Sequence, residues 1–313
     1  MRILLTGGAG FIGSHLVDAF ISQGHDVLVI DDLSAGTRQN VHSGATLLVS
    51  NICSPDSASA VRRFAPHVLC HHAAQMDVRK SVADPAFDAQ VNIVGLLNIL
   101  AAAHSARTLE YVLFASSGGA IYGEQAALPT PETAVLNPIS PYGAAKAAGE
   151  QYLALYHRLH GTPYAALRYA NVYGPRQTPD GEAGVVSIFT GRLLAHRPIE
   201  IFGDGKQTRD FVFVGDIVRA NLIALEKRIQ GPFNVGTGLE TTVGYIAAAL
   251  SELCGLEPQL LYRPPRKGEQ RRSAVDPSKL ETATGFRPRT PLLDGLRATL
   301  EYLAAAPSTK LPA

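Results

Sequence analysis

Residues 6–13, Thr6-Gly7-Gly8-Ala9-Gly10-Phe11-Ile12-Gly13, follow a short apolar run at the N-terminus and open a helical pattern. This strand–loop–helix context is the one in which spaced glycines bind a dinucleotide. Gly7 permits a tight turn, Gly10 lets the backbone approach a pyrophosphate, and Gly13 allows the helix to pack closely on the strand. The backbone N–H groups of Phe11 and Ile12 then face the phosphates at the helix N-terminus. The stretch predicts a nucleotide-binding unit at the start of the chain.

A carboxylate stands where a ribose-binding residue is expected. Asp31 ends the next predicted strand, 18 residues after Gly13, and such an acid accepts hydrogen bonds from a ribose. Because it would repel a 2′-phosphate, NAD is predicted as the cofactor rather than NADP. Asp32 is either a second cofactor contact or a solvated residue of the turn. Arg38 could meet a 2′-phosphate, but this is the weaker case.

Short apolar runs alternate with helical patterns through the first half of the chain. The helical period is clearest in residues 86–105, where Val91, Val94, Leu97 and Ile99 recur. Almost wholly apolar strands that alternate with helices indicate a parallel sheet covered on both faces, so the predicted fold is α/β and doubly wound. The predicted strands are 2–6, 26–31, 46–50, 68–72, 111–116 and 164–169.

The texture of the sequence changes after Tyr173-Gly174-Pro175. A loop leads to a predicted helix at 184–196, then to a strand at 209–214 that returns to the main body, and finally to a helix at 292–304. We therefore expect a Rossmann domain of residues 1–174, joined by a returning segment at about 209–237. Residues 175–313 mainly form a smaller, discontinuous substrate-binding lobe, and clefts between such lobes commonly hold ligands.

Composition narrows the possible functions. The chain has 313 residues, of which 46% are hydrophobic and 18% charged, with a net charge of +1. This balance offers no electrostatic footprint for nucleic acid or an anionic membrane, and no apolar run approaches the roughly 20 residues of a membrane span. Cys53, Cys70 and Cys254 form no close pair, which favours a reducing, cytoplasmic location. No metal site is predicted, because Cys70-His71-His72 lies on a strand with alternating faces and lacks ligand spacing.

Tyr142 and Lys146 are the leading catalytic candidates. Ser140 can cap a helix that begins with Pro141, which places the two side chains on one helical face. A tyrosine can act as a base near neutral pH only if its pKa falls from about 10, and a lysine one turn away can lower it. A surface tyrosine beside a solvated lysine is the ordinary alternative, which the glycine loop upstream disfavours.

Ser116 and Ser117 lie at the carboxyl end of a predicted strand, where ligands bind in sheets of this class. A serine hydroxyl there can bond to a sugar hydroxyl that undergoes proton transfer, although serines in a Gly-rich turn are also common.

Taken together, these motifs resemble the extended short-chain dehydrogenase/reductase superfamily. Within it the resemblance is to the NAD-dependent epimerase/dehydratase family, on the sugar-nucleotide branch that contains UDP-glucose 4-epimerase. The matching segments occur in the family's order along nearly the entire chain. They are 6–15, Ser116-Ser117 with Ile121-Tyr122-Gly123, Ser140-Pro141-Tyr142 with Lys146, Arg168-Tyr169 with Asn171-Val172-Tyr173-Gly174-Pro175, Arg209-Asp210-Phe211-Val212 with Val214 and Asp216, and Arg266 with Gly268-Glu269.

The resemblance implies roles for individual residues. Tyr142 is the implied base, Lys146 binds the nicotinamide ribose and lowers the tyrosine pKa, and Ser117 or its neighbour Ser116 orients the sugar hydroxyl. The family turn has one residue fewer, so the Gly118-Gly119 pair leaves both serines as candidates. Further implied cofactor contacts are Asn51, Ile52, Ala73, Ala74, Asn92 and Tyr169, with Asn51 replacing the family's usual Asp. The implied substrate contacts are Asn171, Arg209, Arg266, Glu269 and Ser273.

The implied reaction is the NAD-dependent 4-epimerisation of a UDP-sugar through a transient 4-keto sugar, with NAD remaining bound. Dehydratases carry Thr-Asp-Glu where 116–119 lies, and the absence of a carboxylate from this turn counts against dehydration. The small Ser273 would leave room for an N-acetyl group at C2 of the sugar, whereas Arg271 and Arg272 would favour a uronate.

Three further alternatives follow from the resemblance: a uronate epimerase, a decarboxylase and a reductase. A non-catalytic NAD-binding sensor is an alternative of a different class, which the presence of both Tyr142 and Lys146 disfavours. The family also implies a homodimer, formed by pairing helices 86–105 and 142–159 across a two-fold axis.

Overall fold

The computed structural model describes residues 1–124, 127–179, 184–265 and 270–305. Its strands are β1 Arg2–Thr6, β2 Asp26–Asp31, β3 Thr46–Val49, β4 Val68–His71, β5 Tyr111–Ser117, β6 Tyr164–Tyr169, β7 Asn171–Tyr173, β8 Ile199–Phe202, β9 Thr208–Arg209, β10 Phe211–Phe213, β11 Gly231–Val235, β12 Thr241–Thr242 and β13 Leu260–Arg263. Its helices are α1 Phe11–Ser22, α2 Pro55–Phe64, α3 Val78–Ala83, α4 Pro85–Ala89, α5 Leu96–Ser105, α6 Pro141–His160, α7 Val185–Leu194, α8 Val214–Lys227, α9 Val243–Leu253, α10 Ser278–Thr284 and α11 Leu292–Ala304. A 3₁₀ turn spans Arg38–Asn40, and a π-helical turn, Gln90–Gly95, joins α4 to α5.

The main sheet, as far as the described residues extend, is parallel and has seven strands in the order β11-β6-β5-β4-β1-β2-β3. The chain lays down β1, β2 and β3 in one direction and then crosses to place β4 on the other side of β1. The predicted doubly wound α/β fold is confirmed. In such sheets ligands bind at the carboxyl ends of the strands where the order reverses, and here that place is the edge between β1 and β4.

Apolar layers cover both faces of the sheet. One layer joins strand residues to α1 and α8 through side chains such as Leu16, Phe20 and Ile217. The opposite layer joins the sheet to α2, α5 and α6, with Leu96, Ile99 and other buried side chains. Because both faces are covered, strands such as β4 and β6 are buried along their whole length.

A further apolar cluster lies outside these two layers. It joins α7, α9, α11 and β8 through Phe189, Ile201, Ile246, Leu250 and Leu296, all of which are buried. Its members come from residues 173–296, so the second half of the chain has a core of its own beside the sheet.

The strand predicted at 209–214 is divided in two by Asp210 in the structure, and neither part joins the main sheet. The chain forms β9 and β10 there, and these pair with β12 and β7 respectively. Asp210 separates them: it is 1% exposed, and its carboxylate accepts hydrogen bonds from the N–H groups of Thr237 (2.9 Å) and Gly238 (3.0 Å). A buried carboxylate must be satisfied in this way. Among the described residues after β6, the strand that joins the main sheet is β11, which lies beside β6.

The expectation that no apolar segment reaches the length of a membrane span is also wrong by length and composition. Pro85–Ser105 is a 21-residue helical segment with a mean hydropathy of 1.5 over its most apolar window, 44% of which is buried inside the fold. A single such helix is weak evidence for a span. Its buried residues Leu96, Ile99, Leu100 and Ala103 pack onto the sheet, which accounts for the apolar composition.

Candidate active site

The glycine loop connects β1 to α1 and closes tightly on itself. Gly7 has φ +74°, and a Cβ at this position would lie 2.6 Å from the backbone N of Ala73. A Cβ on Gly13 would lie 2.1 Å from the carbonyl oxygen of Gly7, so neither position accepts a side chain. Gly10 caps α1 without a side-chain hydrogen bond, which leaves the first N–H groups of the helix for an anion. This cradle fits the pyrophosphate of a dinucleotide.

Asp31 lies at the carboxyl end of β2 and holds the loop in place. It is 7% exposed, and its Oδ2 accepts a hydrogen bond from the N–H of Ala9 (2.9 Å) while Oδ1 accepts one from Leu33 (2.9 Å). A carboxylate has about four acceptor sites, so capacity remains for ribose hydroxyls.

The neighbouring acid has a different environment. Asp32 is exposed, and its Oδ1 accepts hydrogen bonds from the N–H (3.0 Å) and the hydroxyl (2.6 Å) of Ser34. Its Oδ2 accepts one from Asn51 Nδ2 (3.2 Å), which is also exposed. Ile52 is buried and packs beneath the π-helical turn, against Gly95. Asp32 and Asn51 therefore stabilise the turns that follow β2 and β3, and direct contacts with a cofactor remain predictions.

The loop after β4 completes the wall opposite the glycines. Ala73 and Ala74 are half-buried there, and the N–H of Ala73 donates to Thr6 Oγ1 (3.3 Å). Asn92 is buried and bonds to both backbone groups of Gln75, with Oδ1 accepting from N–H and Nδ2 donating to the carbonyl, each at 2.9 Å. Asn92 thus fixes the shape of the loop. Tyr169 lies in the layer beside α8, where its hydroxyl contacts Asn221 and His72.

Tyr142 and Lys146 occupy the first turns of α6, as the sequence predicts. Ser140 caps the helix by accepting a hydrogen bond from the N–H of Gly143 (3.1 Å). The Lys146 ammonium is buried, donates to the carbonyl oxygen of Ala115 (2.8 Å) and lies 5.8 Å from the centre of the Tyr142 ring. The phenol forms a hydrogen bond with the Ser117 hydroxyl. Tyr142, Lys146 and Ser117 are therefore brought together at the carboxyl end of β5.

The expectation that the protein lowers the pKa of Tyr142 is wrong for the protein alone. Burial raises the pKa of Tyr142 to about 12, the Asp88 carboxylate acts in the same direction, and the hydrogen bond with Ser117 opposes them. Burial also lowers the pKa of Lys146 to about 8, against the effects of Asp88 and Glu150. In both groups desolvation, which disfavours the charged form, is the largest influence, and the i, i+4 spacing alone does not reveal it.

The two serines have different partners. Ser116 is buried and donates to Glu150 Oε1 (2.5 Å), two turns along α6 from Tyr142. Glu150 in turn forms a buried ion pair with Arg168 (2.6 Å). Ser116 therefore belongs to a polar network inside the fold, whereas Ser117, where β5 ends, contacts the candidate base.

The Gly118-Gly119 pair shapes the wall next to Ser117. A Cβ on Gly118 would meet the Val275 side chain at 2.7 Å, whereas one on Gly119 would find only the Asn171 Oδ1, at 3.8 Å. The chain therefore passes close to Val275 and then opens toward Asn171.

Among the expected substrate contacts, Asn171, Arg209 and Ser273 lie in the described residues, whereas Arg266 and Glu269 lie outside them. Asn171 begins β7, and its N–H donates to the carbonyl oxygen of Asp210 (2.8 Å), next to Arg209. Arg209 Nη1 donates to the carbonyl oxygen of Thr208 (2.8 Å). Ser273 is 9% exposed. The segment 273–275 lies along the turn at 116–119, called the serine turn below, because Val275 contacts Gly118.

Arg271 and Arg272, next to Ser273, are each paired with an acid, the exposed Asp204 and the half-buried Glu240 respectively. Arg271 forms two hydrogen bonds with Asp204 (2.7 and 2.8 Å), and Arg272 pairs with Glu240. Both guanidinium groups therefore bind acids that lie outside the serine turn.

The histidines at the end of β4 are neutral structural groups. His71 is buried against Thr6 Oγ1 (2.9 Å), and His72 Nε2 contacts the hydroxyl of Tyr169 (3.1 Å). Burial, with Lys146 nearby, lowers the pKa of His72 to about 3. In the part of the chain that the structure describes, no three His, Cys, Asp or Glu side chains gather as metal ligands.

Sequence reasoning missed one buried acid at this site. Asp88, on α4, is 1% exposed and is the leading charged influence on the pKa values of both Tyr142 and Lys146. A signal was present: an acid lies within the apolar pattern of residues 86–105, one turn before Asn92.

The fold and this site define a dinucleotide-binding protein with a Tyr/Lys/Ser constellation. A model of the NAD dependent epimerase/dehydratase family matches residues 3–236, and the chain belongs to this family. It is 44% identical to a UDP-glucose 4-epimerase of Mycolicibacterium smegmatis, with 96% of this chain and 98% of that relative covered.

Solved structures agree with this assignment. The UDP-glucose 4-epimerase of Thermotoga maritima, solved with UDP-glucose, is 46% identical, covers 97% of this chain and 98% of its own, and superposes with a TM-score of 0.92. The UDP-glucose 4-epimerase of Thermus thermophilus, in complex with NAD, is 42% identical over 98% of this chain and 100% of its own, with a TM-score of 0.93.

Proposed function

We propose that this chain is an NAD-dependent isomerase that interconverts the C4 epimers of a UDP-sugar, such as UDP-glucose and UDP-galactose, through a transient 4-keto sugar. The observation that carries the proposal is the convergence of Tyr142, Lys146 and Ser117 at the sheet edge beside the glycine loop and Asp31. The two epimerase structures, one with UDP-glucose and one with NAD, support both the substrate class and the cofactor.

In this proposal Tyr142 removes the proton from the 4-hydroxyl of the sugar and later returns it. Ser117, which bonds to the phenol, orients the same hydroxyl, while Lys146 contributes positive charge and binds the nicotinamide ribose. Bound NAD supplies reversible hydride transfer and, when oxidised, a positive ring. Burial raises the pKa of this phenol to about 12, and positive charge close to the phenol opposes that shift.

Cofactor binding is assigned to two main groups. The backbone of Gly7, Gly10 and Gly13 and the N–H groups at the start of α1 hold the pyrophosphate, and Asp31 binds the adenosine ribose. Contacts from Asp32, Asn51, Ile52, Ala73, Ala74, Asn92 and Tyr169 complete the proposed NAD site.

The acid-free turn supports epimerisation over dehydration. Residues 116–119 contain no carboxylate, and Glu124, the next acid along the chain, is exposed and accepts a hydrogen bond from the N–H of Arg271 (3.3 Å). No acid of this turn is available to eliminate water from the sugar.

Asn171 and Arg209, with Arg266 and Glu269, are proposed to bind the nucleoside diphosphate. The small Ser273 is proposed to leave room for an N-acetyl group, so that UDP-GlcNAc and UDP-GalNAc are also accepted. A uronate is the weaker substrate candidate, because Arg271 and Arg272 pair with Asp204 and Glu240.

We also propose a Rossmann domain of residues 1–174 with the returning segment 209–237, a substrate lobe formed mainly by 175–313, and a homodimer. Support for the dimer comes from exposed apolar side chains on the helices that the family pairs. Val94 is 46% exposed, and Leu155 and Leu159 on α6 are 37% and 65% exposed. Sedimentation of the wild type and of Leu159→Glu tests this: a dimer that the variant dissociates supports it, and a monomeric wild type refutes it.

The purified protein, incubated with a panel of UDP-sugars without added NAD, tests the function, with products identified by NMR. We expect interconversion of C4 epimers, which Tyr142→Phe abolishes while the bound NAD is retained. Tyr152→Phe is the matched control, because Tyr152 lies on the same helix and is 37% exposed. A stable 4-keto-6-deoxy product, a decarboxylated sugar or full activity of Tyr142→Phe would overturn the proposal.

A further inference from the structure

Asp88 is an acid buried beside the catalytic helix. It is 1% exposed on α4, which packs against α6, as does the π-helical turn that follows. Its Oδ1 accepts hydrogen bonds from Gln75 Nε2 and Asn92 Nδ2, both at 3.0 Å. Its Oδ2 is also buried and has no hydrogen-bond partner among the described residues. Because burying a charged oxygen without compensation is costly, a positive charge is expected close by.

Lys146 is a buried cation on α6, the helix against which α4 packs. It is 4% exposed, and its ammonium donates to the carbonyl oxygen of Ala115, which carries no charge. The other carboxylate that acts on it, Glu150, is already paired with Arg168 (2.6 Å) and accepts a hydrogen bond from Ser116. Asp88 is therefore the buried carboxylate near Lys146 that is not shared with another cation in the described part of the chain.

The remaining titratable groups around the pair do not replace Asp88. His71, which ends β4, and His72, which follows it, are close enough to Lys146 for its charge to act on them. Burial and this charge lower the pKa of each, so both are neutral. Helix α3 also packs against α6, but its Arg79 and Lys80 are exposed to solvent.

We propose that Asp88 is a positioning residue, whose buried carboxylate acts without a direct hydrogen bond as the counter-charge of the Lys146 ammonium and sets the charge balance at Tyr142. The catalytic role of Tyr142 and Lys146 rests on the proposed function. The electrostatic effect of Asp88 on these two residues does not depend on it. The direction of its electrostatic effects supports the proposal: the Asp88 carboxylate raises the pKa of both the Tyr142 phenol and the Lys146 ammonium.

Asp88→Asn tests the proposal, because it keeps the shape of the side chain and removes the charge. Loss of a nearby negative charge makes a phenol and an ammonium both more acidic, by roughly one unit or more. Both limbs of the pH profile of kcat/KM should therefore move to lower pH, whichever group of the coupled pair produces each limb. A merely structural role would lower the rate and the stability while leaving both limbs where they are.

A second measurement does not depend on epimerisation. The ionisation of the Tyr142 phenol is followed by ultraviolet absorbance as the pH is raised. The Tyr142 signal in the wild type is obtained by subtracting the titration of Tyr142→Phe. The Tyr142 signal in Asp88→Asn is obtained by subtracting that of Asp88→Asn/Tyr142→Phe. We expect the phenol of the Asp88→Asn protein to titrate roughly one unit or more lower. Glu226→Gln, which removes an acid with a 74% exposed side chain on α8, should shift nothing.

The outcomes separate the two proposals. An inactive wild type with a shifted phenol titration defeats the proposed function and supports the role of Asp88. An active Asp88→Asn protein with unshifted limbs and an unshifted titration overturns the role of Asp88. If Asp88→Asn does not fold, Asp88→Ser removes the same charge with a smaller side chain, and its phenol titration decides in the same way.

Discussion

Of the two adjacent serines, replacing Ser116 should lower stability, whereas replacing Ser117 should lower the catalytic rate. Ser116→Ala removes a buried hydrogen bond to the charged Glu150 (2.5 Å), and hydrogen bonds to charged groups contribute about 1.5–3 kcal/mol. At about 2–4 °C of Tm per kcal/mol for domains of 150–250 residues, the expected loss is several degrees, with kcat near the wild-type value. Ser117→Ala leaves that network intact and should hardly change Tm.

The catalytic cost of Ser117→Ala follows from its contact with Tyr142. If that hydrogen bond stabilises the developing phenolate by about 1.5–3 kcal/mol, its loss lowers kcat by about 10- to 160-fold, at 1.36 kcal/mol per tenfold. Initial rates by NMR and thermal unfolding of both variants, each with its bound NAD quantified, provide the comparison. The reverse pattern, an inactive but stable Ser116→Ala and an active Ser117→Ala, would refute the assignment.

Three other changes have defined outcomes. Gly13→Ala places a Cβ 2.1 Å from the Gly7 carbonyl oxygen, and such overpacking costs about 1–3 kcal/mol. Bound NAD, measured by release and chromatography, should therefore be largely lost. Full retention of NAD contradicts the assignment of this loop as the pyrophosphate site. Asp31→Ser removes the charge that repels a 2′-phosphate and should raise the affinity for NADP relative to NAD in a titration; an unchanged ratio contradicts the ribose assignment. The pKa of Lys146 is about 8 in the folded protein, below its ordinary 10.5, so between pH 8 and 10.5 the unfolded chain binds more protons and the free energy of unfolding rises with pH. This rise, measured as the denaturation midpoint, should be absent from Lys146→Met. Its persistence in the variant contradicts the burial of the charge.

Local signals made the first part of the fold and the core of the site predictable from sequence. The glycine loop and the Tyr142/Lys146 pair are each defined by spacings of a few residues, so their geometry follows from a strand–helix turn and from one helical turn. The helix containing the pair begins at Pro141 with Ser140 as its cap, as the capping pattern predicts.

Features that depend on residues far apart in the sequence were not predictable in this way. Strand β11 begins with Gly231-Pro232, a pair that weakens a strand signal, and only its position beside β6 makes it a strand of the main sheet. The break at Asp210 depends on N–H donors from Thr237 and Gly238, which no local pattern reveals. The desolvation of the Tyr142 phenol likewise depends on packing, and it reversed the expected direction of the shift in its pKa.

The choice between Ser116 and Ser117 shows why such long-range contacts matter for the chemistry. Ser116 donates to Glu150, Glu150 pairs with Arg168, and Arg168 Nη1 donates to the hydroxyl of Tyr122 (2.8 Å). The Tyr122 hydroxyl donates in turn to Asn234 Oδ1 (2.7 Å), on β11. Because each member has a partner in a buried, low-dielectric setting, the network is rigid. Strand β11, which comes late in the chain, thereby fixes the turn after β5. The Ser117 hydroxyl, next to Ser116, is thus held in contact with Tyr142.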